Sequence, residues 1–428
     1  MKAARVFRWL LVGSALVLAS GTAAVWWLNQ RGEAPIPAQA TAFQATPGQV
    51  ERGRYLALTG NCAGCHTAPG GASYAGGVGI ATPFGTVRAG NLTPDEATGI
   101  GAWSPDHFWR AMHHGRSRDG RLLYPAFPYT SFTQITREDS DALYAWLRTV
   151  PPVAQANRAH SLRFPYNTQA ALAVWRALYF TPTPFAPAPQ RSAEWNRGAY
   201  LVGGLGHCIA CHGSRNALGA TDTRRSLAGS VLTGQGWYAP ALDDAHEAGV
   251  MRWSEADIVE LLKSGRNDHA AVSGPMAEVV YRSTQHLDAD DLAAMATYLR
   301  AVPERSATPA TPPVRDSNRP PSAQMLRGER IYAQQCAWCH GEQGQGQPGA
   351  FPALAGNRAV NLAQTTNLVQ MVRQGGYLPA TADNPRPHGM PPFGHVLDDA
   401  DIAAVLSYVR GNWGNTGDEL SLGEVARR

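Results

Sequence analysis

Apolar and polar positions follow the same helix-like pattern at three places in the chain. The three segments begin at Trp103, Trp253 and Thr365. "WSPDHFWRAMHHGR" and "WSEADIVELLKSGR" align without a gap, and "TTNLVQMVRQGG" follows them more loosely. Ser104 and Ser254 stand where an N-cap is preferred, ahead of acidic residues in the first turn. Gly115 and Gly265 stand where a glycine ends a helix. The pattern therefore predicts an equivalent helix in each of three repeated units.

A second amphipathic segment closes each unit. These segments begin at Ile135, Leu287 and Leu397, and they carry aligned aromatic residues at Trp146, Tyr298 and Tyr408. Each unit also opens with an Arg-Gly pair, at Arg52-Gly53, Arg197-Gly198 and Arg327-Gly328. Glycine has no side chain to hold a neighbour away, so the pair predicts a point where two helices cross closely. The alternative is that the pair only begins a helix.

The N-terminal segment is apolar from Trp9 to Asn29 and follows basic residues. About 20 residues at about 1.5 Å each can cross a bilayer core of about 30 Å. A cleaved signal peptide is the alternative, because the small residues from Ala19 to Ala24 offer a cut site. The apolar run continues to Trp26 and Trp27, which suit the membrane interface and favour a retained anchor. The basic end then stays in the cytoplasm, and the rest of the chain lies outside it.

Proline-rich connectors separate the units and set the predicted boundaries. Residues 1–32 are the membrane anchor or signal segment, and residues 48–155 are the first domain. The connector 156–189 contains "AALAVWRALYF", which we interpret as a helix that docks domains together. The remaining segments are the second domain (190–303), a proline-rich linker (304–321), the third domain (322–414) and a polar tail (415–428).

The amino-acid composition and net charge indicate which classes of protein the sequence favours. Charged residues make up 16% of the chain, which also contains 44 glycines and 31 prolines. Since an average globular protein has about 25% charged residues, this composition indicates compact domains rich in loops. The net charge of +4 is small and scattered. No basic stripe with interleaved aromatic residues is present, so the sequence gives no support for nucleic-acid binding.

All six cysteines fall in three copies of one motif, C-x-x-C-H. The copies are "CAGCH" from Cys62, "CIACH" from Cys208 and "CAWCH" from Cys336. This is the attachment signature of c-type haem, in which two thiols form thioethers and the adjacent histidine binds the iron. The predicted attachment residues are Cys62, Cys65, Cys208, Cys211, Cys336 and Cys339, and the predicted iron ligands are His66, His212 and His340. One copy alone is also compatible with half of a zinc site or a thioredoxin-like pair.

Three copies that use every cysteine favour three covalently bound haems c. The predicted fold is mainly α-helical, with three tandem class I cytochrome c domains, each wrapped around one haem, plus the N-terminal apolar helix. A domain of roughly 100 residues has a small core, so the haem itself must fill much of it.

A closed, electron-transferring haem needs a sixth ligand, and in cytochromes c this is usually a methionine thioether. Met276 in "GPMAEVV" and Met390 in "HGMPPFGH" precede the closing helix of the second and third units. Methionines are more often core filler. These two are predicted to lie in loops beside proline, where no helical stripe accounts for them, so they are the predicted distal ligands.

In the first unit Phe127 of "YPAFPY" occupies that position. Phenylalanine has no lone pair for iron, which leaves a five-coordinate iron, a water or another side chain. Met112 aligns with apolar positions of the other units, so a place in the helix core is favoured for it. His113 and His114 align with polar helix-end positions, from which a histidine could still reach the iron.

The sequence resembles the triple-haem cytochrome c subunit of membrane-bound bacterial dehydrogenases. The strings that carry this resemblance are "GNCAGCHTAPGG", "TPFGTVRAGNLTPDEATGIGAWS", "SAEWNRGAYLVGGLGHCIACHGSRNALGA", "GPMAEVV" and "HGMPPFGHVL". The resemblance implies an electron-transfer subunit without catalytic residues of its own. A catalytic partner would supply electrons, which the haems would pass to ubiquinone or another respiratory acceptor. It also implies an inner-membrane protein with its haem domains on the periplasmic side.

Alcohol and gluconate dehydrogenase subunits typically read "YPAMPY" at the first haem. The departure to "YPAFPY" resembles cytochromes that serve molybdopterin and [2Fe-2S] subunits, which favours an aldehyde or N-heterocycle dehydrogenase as partner. A quinoprotein alcohol dehydrogenase or a flavin-dependent sugar dehydrogenase is the alternative. Two other classes stay open on the sequence alone: a haem peroxidase or oxygen-binding protein with an open first haem, and the cytochrome subunit of a terminal oxidase.

Overall fold

The computed structural model of the chain describes residues 2–37, 43–222, 227–305 and 320–426. Most of the linker predicted over 304–321 lies outside the described residues. The chain divides into two compact units, one of Met1–Arg54 and His66–Ala186 and one of Tyr55–Cys65 and Pro187–Arg428. The structure is mainly α-helical with a few short strands, as predicted.

Up to residue 186 the helices are α1 (Lys2–Asn29), α2 (Pro47–Thr59), α3 (Cys62–His66), α4 (Pro105–His114), α5 (Tyr129–Phe132), α6 (Arg137–Leu147) and α7 (Gln169–Tyr179). The strands β1 (Gly79–Thr82), β2 (Gly85–Arg88) and β3 (Ser161–Leu162) form an antiparallel sheet in that order. The division between the two compact units passes through α2 and α3.

Beyond residue 186 the helices are α8 (Ala193–Ala199), α9 (Ile209–His212), α10 (Glu255–Ser264), α11 (Pro275–Arg282), α12 (Ala289–Arg300), α13 (Ala323–Gln335), α14 (Ala337–His340), α15 (Arg358–Asn361), α16 (Thr366–Gln374), α17 (Asp399–Gly411) and α18 (Leu422–Ala426). A π-helical segment, Tyr200–Leu205, follows α8, and short 3₁₀ turns lie at Val250–Arg252 and Thr284–His286. Two antiparallel hairpins are formed by β4 (Ser230–Leu232) with β5 (Trp237–Ala239) and by β6 (Gly376–Tyr377) with β7 (Gly389–Met390).

The predicted caps are present on α4 and α10. The Ser104 hydroxyl accepts a hydrogen bond from the backbone N–H of His107, and Ser254 does the same for Asp257. Both helices end at a glycine in the left-handed conformation, with φ of 58° at Gly115 and 80° at Gly265. The equivalent helix α16 follows Thr365, which makes no side-chain cap bond. The capping prediction is therefore confirmed for α4 and α10.

The glycines of the three Arg-Gly pairs lie where an opening helix crosses a closing helix. A Cβ added to Gly53 would lie 1.9 Å from the carbonyl oxygen of Ala142. The corresponding distances are 1.9 Å from Gly198 to the carbonyl oxygen of Ala294 and 2.1 Å from Gly328 to the carbonyl oxygen of Ala404. Carbon and oxygen atoms that are not bonded cannot approach so closely, so only glycine permits these crossings. The predicted crossing point is confirmed in all three repeats.

The arginine of each pair binds an aspartate three residues before that alanine. The Nε atoms of Arg52, Arg197 and Arg327 lie 2.6, 2.7 and 2.8 Å from carboxylate oxygens of Asp139, Asp291 and Asp401. Arg197 also donates from Nη2 to the second Asp291 oxygen at 2.7 Å, which makes that pair bidentate. Each Arg-Gly pair thus holds two crossing helices together: the arginine forms an ion pair with the closing helix, and the glycine lets the backbones of the two helices touch.

Helix α1 is long and apolar enough over Arg5–Asn29 to cross a membrane, a property that signal sequences share. Within the first unit its C-terminal end packs on α7. The Asn29 amide donates to the carbonyl of Ala173 at 2.9 Å, and its oxygen accepts a hydrogen bond from Nε of the buried Arg176 at 2.9 Å. Helix α7 therefore supports α1 within its own unit, and its role in docking domains stays a prediction.

Candidate haem attachment sites

The three C-x-x-C-H motifs form short helical turns that end at a histidine. His66 ends α3, His212 ends α9 and His340 ends α14. None of the six cysteines is paired in a disulfide. The turn places both thiols and the imidazole of each motif close together in the chain, which is the arrangement that haem attachment uses.

Each motif histidine is oriented by a backbone carbonyl. The Nδ1 atom lies 2.7 Å from the oxygen of Gly90 for His66, 2.7 Å from that of Pro240 for His212 and 3.0 Å from that of Pro352 for His340. A carbonyl oxygen can only accept, so Nδ1 carries the proton in all three rings. This leaves the lone pair of Nε2 for a metal, and such a carbonyl contact is the usual support of a ligating histidine.

The surroundings also keep these imidazoles neutral. Burial lowers the pKa of His66, His212 and His340 below the ordinary value for histidine, and the hydrogen bond to the carbonyl only partly offsets it. A protonated imidazole has no lone pair, so a lowered pKa keeps each ring ready to bind iron at neutral pH.

The thiols of Cys62 and Cys208 lie in surroundings that oppose ionisation. Desolvation raises the pKa of both to about 12. Thiol exchange uses the thiolate, which is scarce at such a pKa. The environment therefore disfavours the thioredoxin-like alternative.

Met276 lies in the first turn of α11 and is half-buried. The expectation that it lies in a loop is wrong, because Pro275 begins a helix there. The helix starts from Gly274, whose φ is 53° and whose Cα lies against the indole ring of Trp237; an added Cβ would be 2.5 Å from that ring. The ring packing fixes the backbone that carries the thioether.

Met390 lies on β7 and is half-buried against a cluster that contains Val369, Val372 and Ile402. It pairs with Gly376 in the β6–β7 hairpin. The sequence predicts a loop at this position, and in the structure the segment forms one strand of a short β-hairpin. Met390 is thus held by backbone pairing and by the core of the third repeat.

Phe127 lies in the turn before α5 and is half-buried. Its N–H donates to the carbonyl of Tyr124 at 3.0 Å, and its own carbonyl accepts from the N–H of the fully buried Tyr129 at 2.7 Å. Its ring packs at 5.4 Å from the ring of Phe132. This position therefore belongs to an aromatic cluster in which Phe127 has no donor atom to offer.

The other candidates of the first repeat lie on α4. Met112 is buried on this helix beside Phe108, as expected for a core residue. His113 is also buried, and its ring stacks on that of Trp109 at 4.4 Å between centroids. Burial lowers the pKa of His113, and burial with nearby positive charges lowers the pKa of His114 to about 3. Both imidazoles are therefore neutral in the folded chain at neutral pH.

Comparison with known proteins gives matches along most of the chain. Residues 50–151 and 196–303 match the cytochrome c family, and residues 323–409 match the family of cytochrome c oxidase, cbb3-type, subunit III. The chain is 41% identical over 397 residues to the cytochrome c subunit of the quinone alcohol dehydrogenase of Gluconacetobacter polyoxogenes, covering 88% of this chain and 83% of the relative.

The chain belongs to the cytochrome c subunits of bacterial dehydrogenases. It is also 38% identical over 387 residues to the gluconate 2-dehydrogenase cytochrome c subunit of Pantoea cypripedii, covering 87% of both chains. A nicotinate dehydrogenase subunit of Pseudomonas putida is 43% identical over 368 residues, which are 84% of this chain but 30% of that protein. This cytochrome is an electron-transfer component of a dehydrogenase complex and not its catalytic subunit.

Membership of this family implies covalently bound haem c, and the residues of each motif fit the group. Each motif provides two unpaired thiols and one imidazole whose Nδ1 is engaged by a carbonyl. The donor set is the one that c-type haem requires. When bound, the haem supplies reversible one-electron transfer, and the chain supplies its attachment and the surrounding protein.

Proposed function

We propose that this cytochrome carries three haems c and relays electrons from a catalytic dehydrogenase subunit to ubiquinone or another respiratory acceptor. The observation that carries the proposal is the shared orientation of His66, His212 and His340. Each donates its Nδ1–H to a backbone carbonyl and keeps Nε2 for iron. The proposed pairs of thioether-forming cysteines are Cys62 with Cys65, Cys208 with Cys211 and Cys336 with Cys339.

Met276 and Met390 are the proposed distal ligands of the second and third haems. A thioether favours the reduced iron and raises the reduction potential. The packing of Gly274 on Trp237 and the pairing of Met390 with Gly376 support this role, because a ligand on a fixed backbone does not have to be ordered when it binds. We also propose the three domain ranges 48–155, 190–303 and 322–414 as the corresponding units.

The first haem differs in this proposal. Phe127 occupies the turn that corresponds to the methionine positions, and it offers no lone pair. The thioether that stabilises reduced iron is therefore missing, and the first haem has the lower potential. Such an arrangement would make the first haem unequal to the other two.

Replacing Phe127 with methionine is expected to raise the potential of the first haem. The thioether would supply the donor that the aromatic ring lacks, and axial ligands set haem potentials over a range of about 0.8 V. A potentiometric titration followed in the visible haem bands measures the shift. Phe127→Leu is the matched control, because it changes the packing without adding a donor. An unchanged titration of the methionine variant, with the leucine variant also unchanged, would contradict the proposal.

A molybdopterin and [2Fe-2S] dehydrogenase that oxidises an aldehyde or an N-heterocycle is the proposed partner. Two observations support it: the "YPAFPY" string and the 43% identity to the nicotinate dehydrogenase subunit, since nicotinate is such a heterocycle. The complex is proposed to sit in the inner membrane through α1, with its haem domains in the periplasm. The apolar side chains of Val174 and Leu178, exposed on the helix that packs on α1, are compatible with a position at the membrane.

Purification of the detergent-solubilised complex tests the partner. We expect molybdopterin and iron–sulfur clusters to co-purify with this cytochrome in constant ratio. Pyrroloquinoline quinone or flavin in their place would identify an alcohol or sugar dehydrogenase. This second candidate is favoured by the 41% identity to an alcohol dehydrogenase subunit. Copper with haem b would instead indicate a terminal oxidase and contradict the dehydrogenase proposal.

A further inference from the structure

The segment that carries the first two attachment cysteines, Tyr55–Cys65, belongs to the same compact unit as the second and third motifs. The Tyr55 hydroxyl donates to a carboxylate oxygen of Asp291 at 2.7 Å and accepts from the N–H of Asp288 at 3.2 Å. Asp291 is the residue that also binds Arg197 in the second repeat. The first segment is therefore tied to the helix crossing of the second repeat.

Two further hydrogen bonds reach the end of this segment. The hydroxyl of Ser283, itself buried, donates to the carbonyl of Thr59 at 3.1 Å. Nε2 of His207 lies 3.2 Å from the carbonyl oxygen of Gly60, two residues before Cys62. Because the carbonyl can only accept, Nε2 of His207 carries the proton. These bonds give buried carbonyl groups the partners that they need.

His207 directly precedes Cys208, the first attachment cysteine of the second motif. Its backbone has a φ of 38°, an uncommon value for a residue other than glycine. Gly60 packs closely here, because a Cβ added to it would lie 3.2 Å from Leu205. One imidazole thus connects the turn that begins the first motif with the turn that begins the second. In the third motif the same position is held by Gln335, which is exposed.

We propose that His207 is a positioning residue that holds the attachment turn of the first haem against that of the second. Ser283 and Tyr55 complete this clamp. Cys62 and Cys65 would hold one haem and Cys208 and Cys211 the next, and the clamp would keep the two within reach of one-electron exchange, in which one iron would be oxidised as the other is reduced. This inference rests on the haem assignment proposed above.

Variants of His207 in the full chain test the inference. Leucine removes the donor, whereas glutamine keeps an N–H donor on a side chain of similar reach. Hydrogen exchange of peptides covering residues 55–65 is expected to be about tenfold faster in His207→Leu, the change that the loss of one buried hydrogen bond produces. His207→Gln is expected to restore slow exchange. Electron redistribution between the first two haems after flash reduction is expected to slow in the leucine variant and recover in the glutamine variant.

The inference is wrong if His207→Leu shows the same hydrogen exchange over residues 55–65 and the same rate of electron redistribution as the wild-type chain. If that variant does not fold, Ser283→Ala tests the same clamp by removing the bond to Thr59, and unchanged exchange there would also overturn it. The haem content of the wild-type chain, measured as the pyridine haemochrome, separates the two proposals. Fewer than three haems contradicts the proposed function, whereas three haems with unchanged exchange contradicts only the clamp.

Discussion

Replacing Gly198 with alanine is expected to destabilise the second repeat by about 3 kcal/mol, the upper end of typical overpacking. The added Cβ would lie 1.9 Å from the carbonyl oxygen of Ala294 and 2.7 Å from the Cβ of Tyr298. Neither atom can turn away, because one belongs to the backbone of α12 and the other is fixed to it. The two helices would have to separate, which also lengthens the bidentate pair of Arg197 with Asp291.

Thermal unfolding followed by circular dichroism and by the haem absorption measures this effect. Gly48→Ala is the matched control, because Gly48 lies in the first turn of α2 with nothing within 4 Å of an added Cβ. Alanine is preferred over glycine in a helix, so the control is expected to be neutral or to stabilise the chain slightly. Equal unfolding temperatures for Gly198→Ala and the wild type would show that the crossing tolerates a side chain.

Replacing Met276 or Met390 with alanine is expected to lower the midpoint potential of one haem in each case. The loss of the thioether removes the ligand that favours reduced iron, and the shift is expected to be a sizeable fraction of the about 0.8 V that axial ligands span. The two substitutions are expected to affect different haems, so the double variant should show both shifts independently.

A redox titration together with the near-infrared absorption of Met-ligated ferric haem checks these assignments. Met325→Ala is the matched control, because Met325 is a half-buried methionine in the first turn of α13, as Met276 is in α11. The control is expected to leave all potentials unchanged. A methionine signal of undiminished intensity in either single variant would mean that the corresponding ligand is misassigned.

The repeated architecture was predictable because its physical causes are local. Ser104 and Ser254 act within a single turn of helix, and the Arg-Gly pairs recur at the same place in each unit. The aspartate partners of those arginines were missed by the sequence interpretation. The sequence does contain a pattern that indicates these partners, because Asp139, Asp291 and Asp401 occupy the same position relative to the aligned aromatic residues of the closing helices.

Features that depend on distant contacts were not predictable. Strands of two to four residues leave too few positions for an alternating pattern, so the hairpins had no sequence signal. Met276 was placed in a loop because glycine and proline precede it, although proline also suits the first turn of a helix. The bond from His207 to Gly60 joins residues 147 positions apart. No local pattern indicates such a contact, and it forms only when the repeats are folded together.

The contacts of Asn29 limit how the N-terminus can be processed during maturation. Its side chain and backbone oxygen bind Arg176, Ala173 and Arg116, each at 2.9 Å. A signal peptidase that cuts within Ala19 to Ala24 leaves all of these bonds in the mature protein. A cut after Asn29 would remove all three bonds, including the one to the buried guanidinium of Arg176, and the loss of a partner by a buried charge is costly. Whether or not the apolar helix stays in the membrane, we therefore expect the mature first unit to begin at or before Asn29.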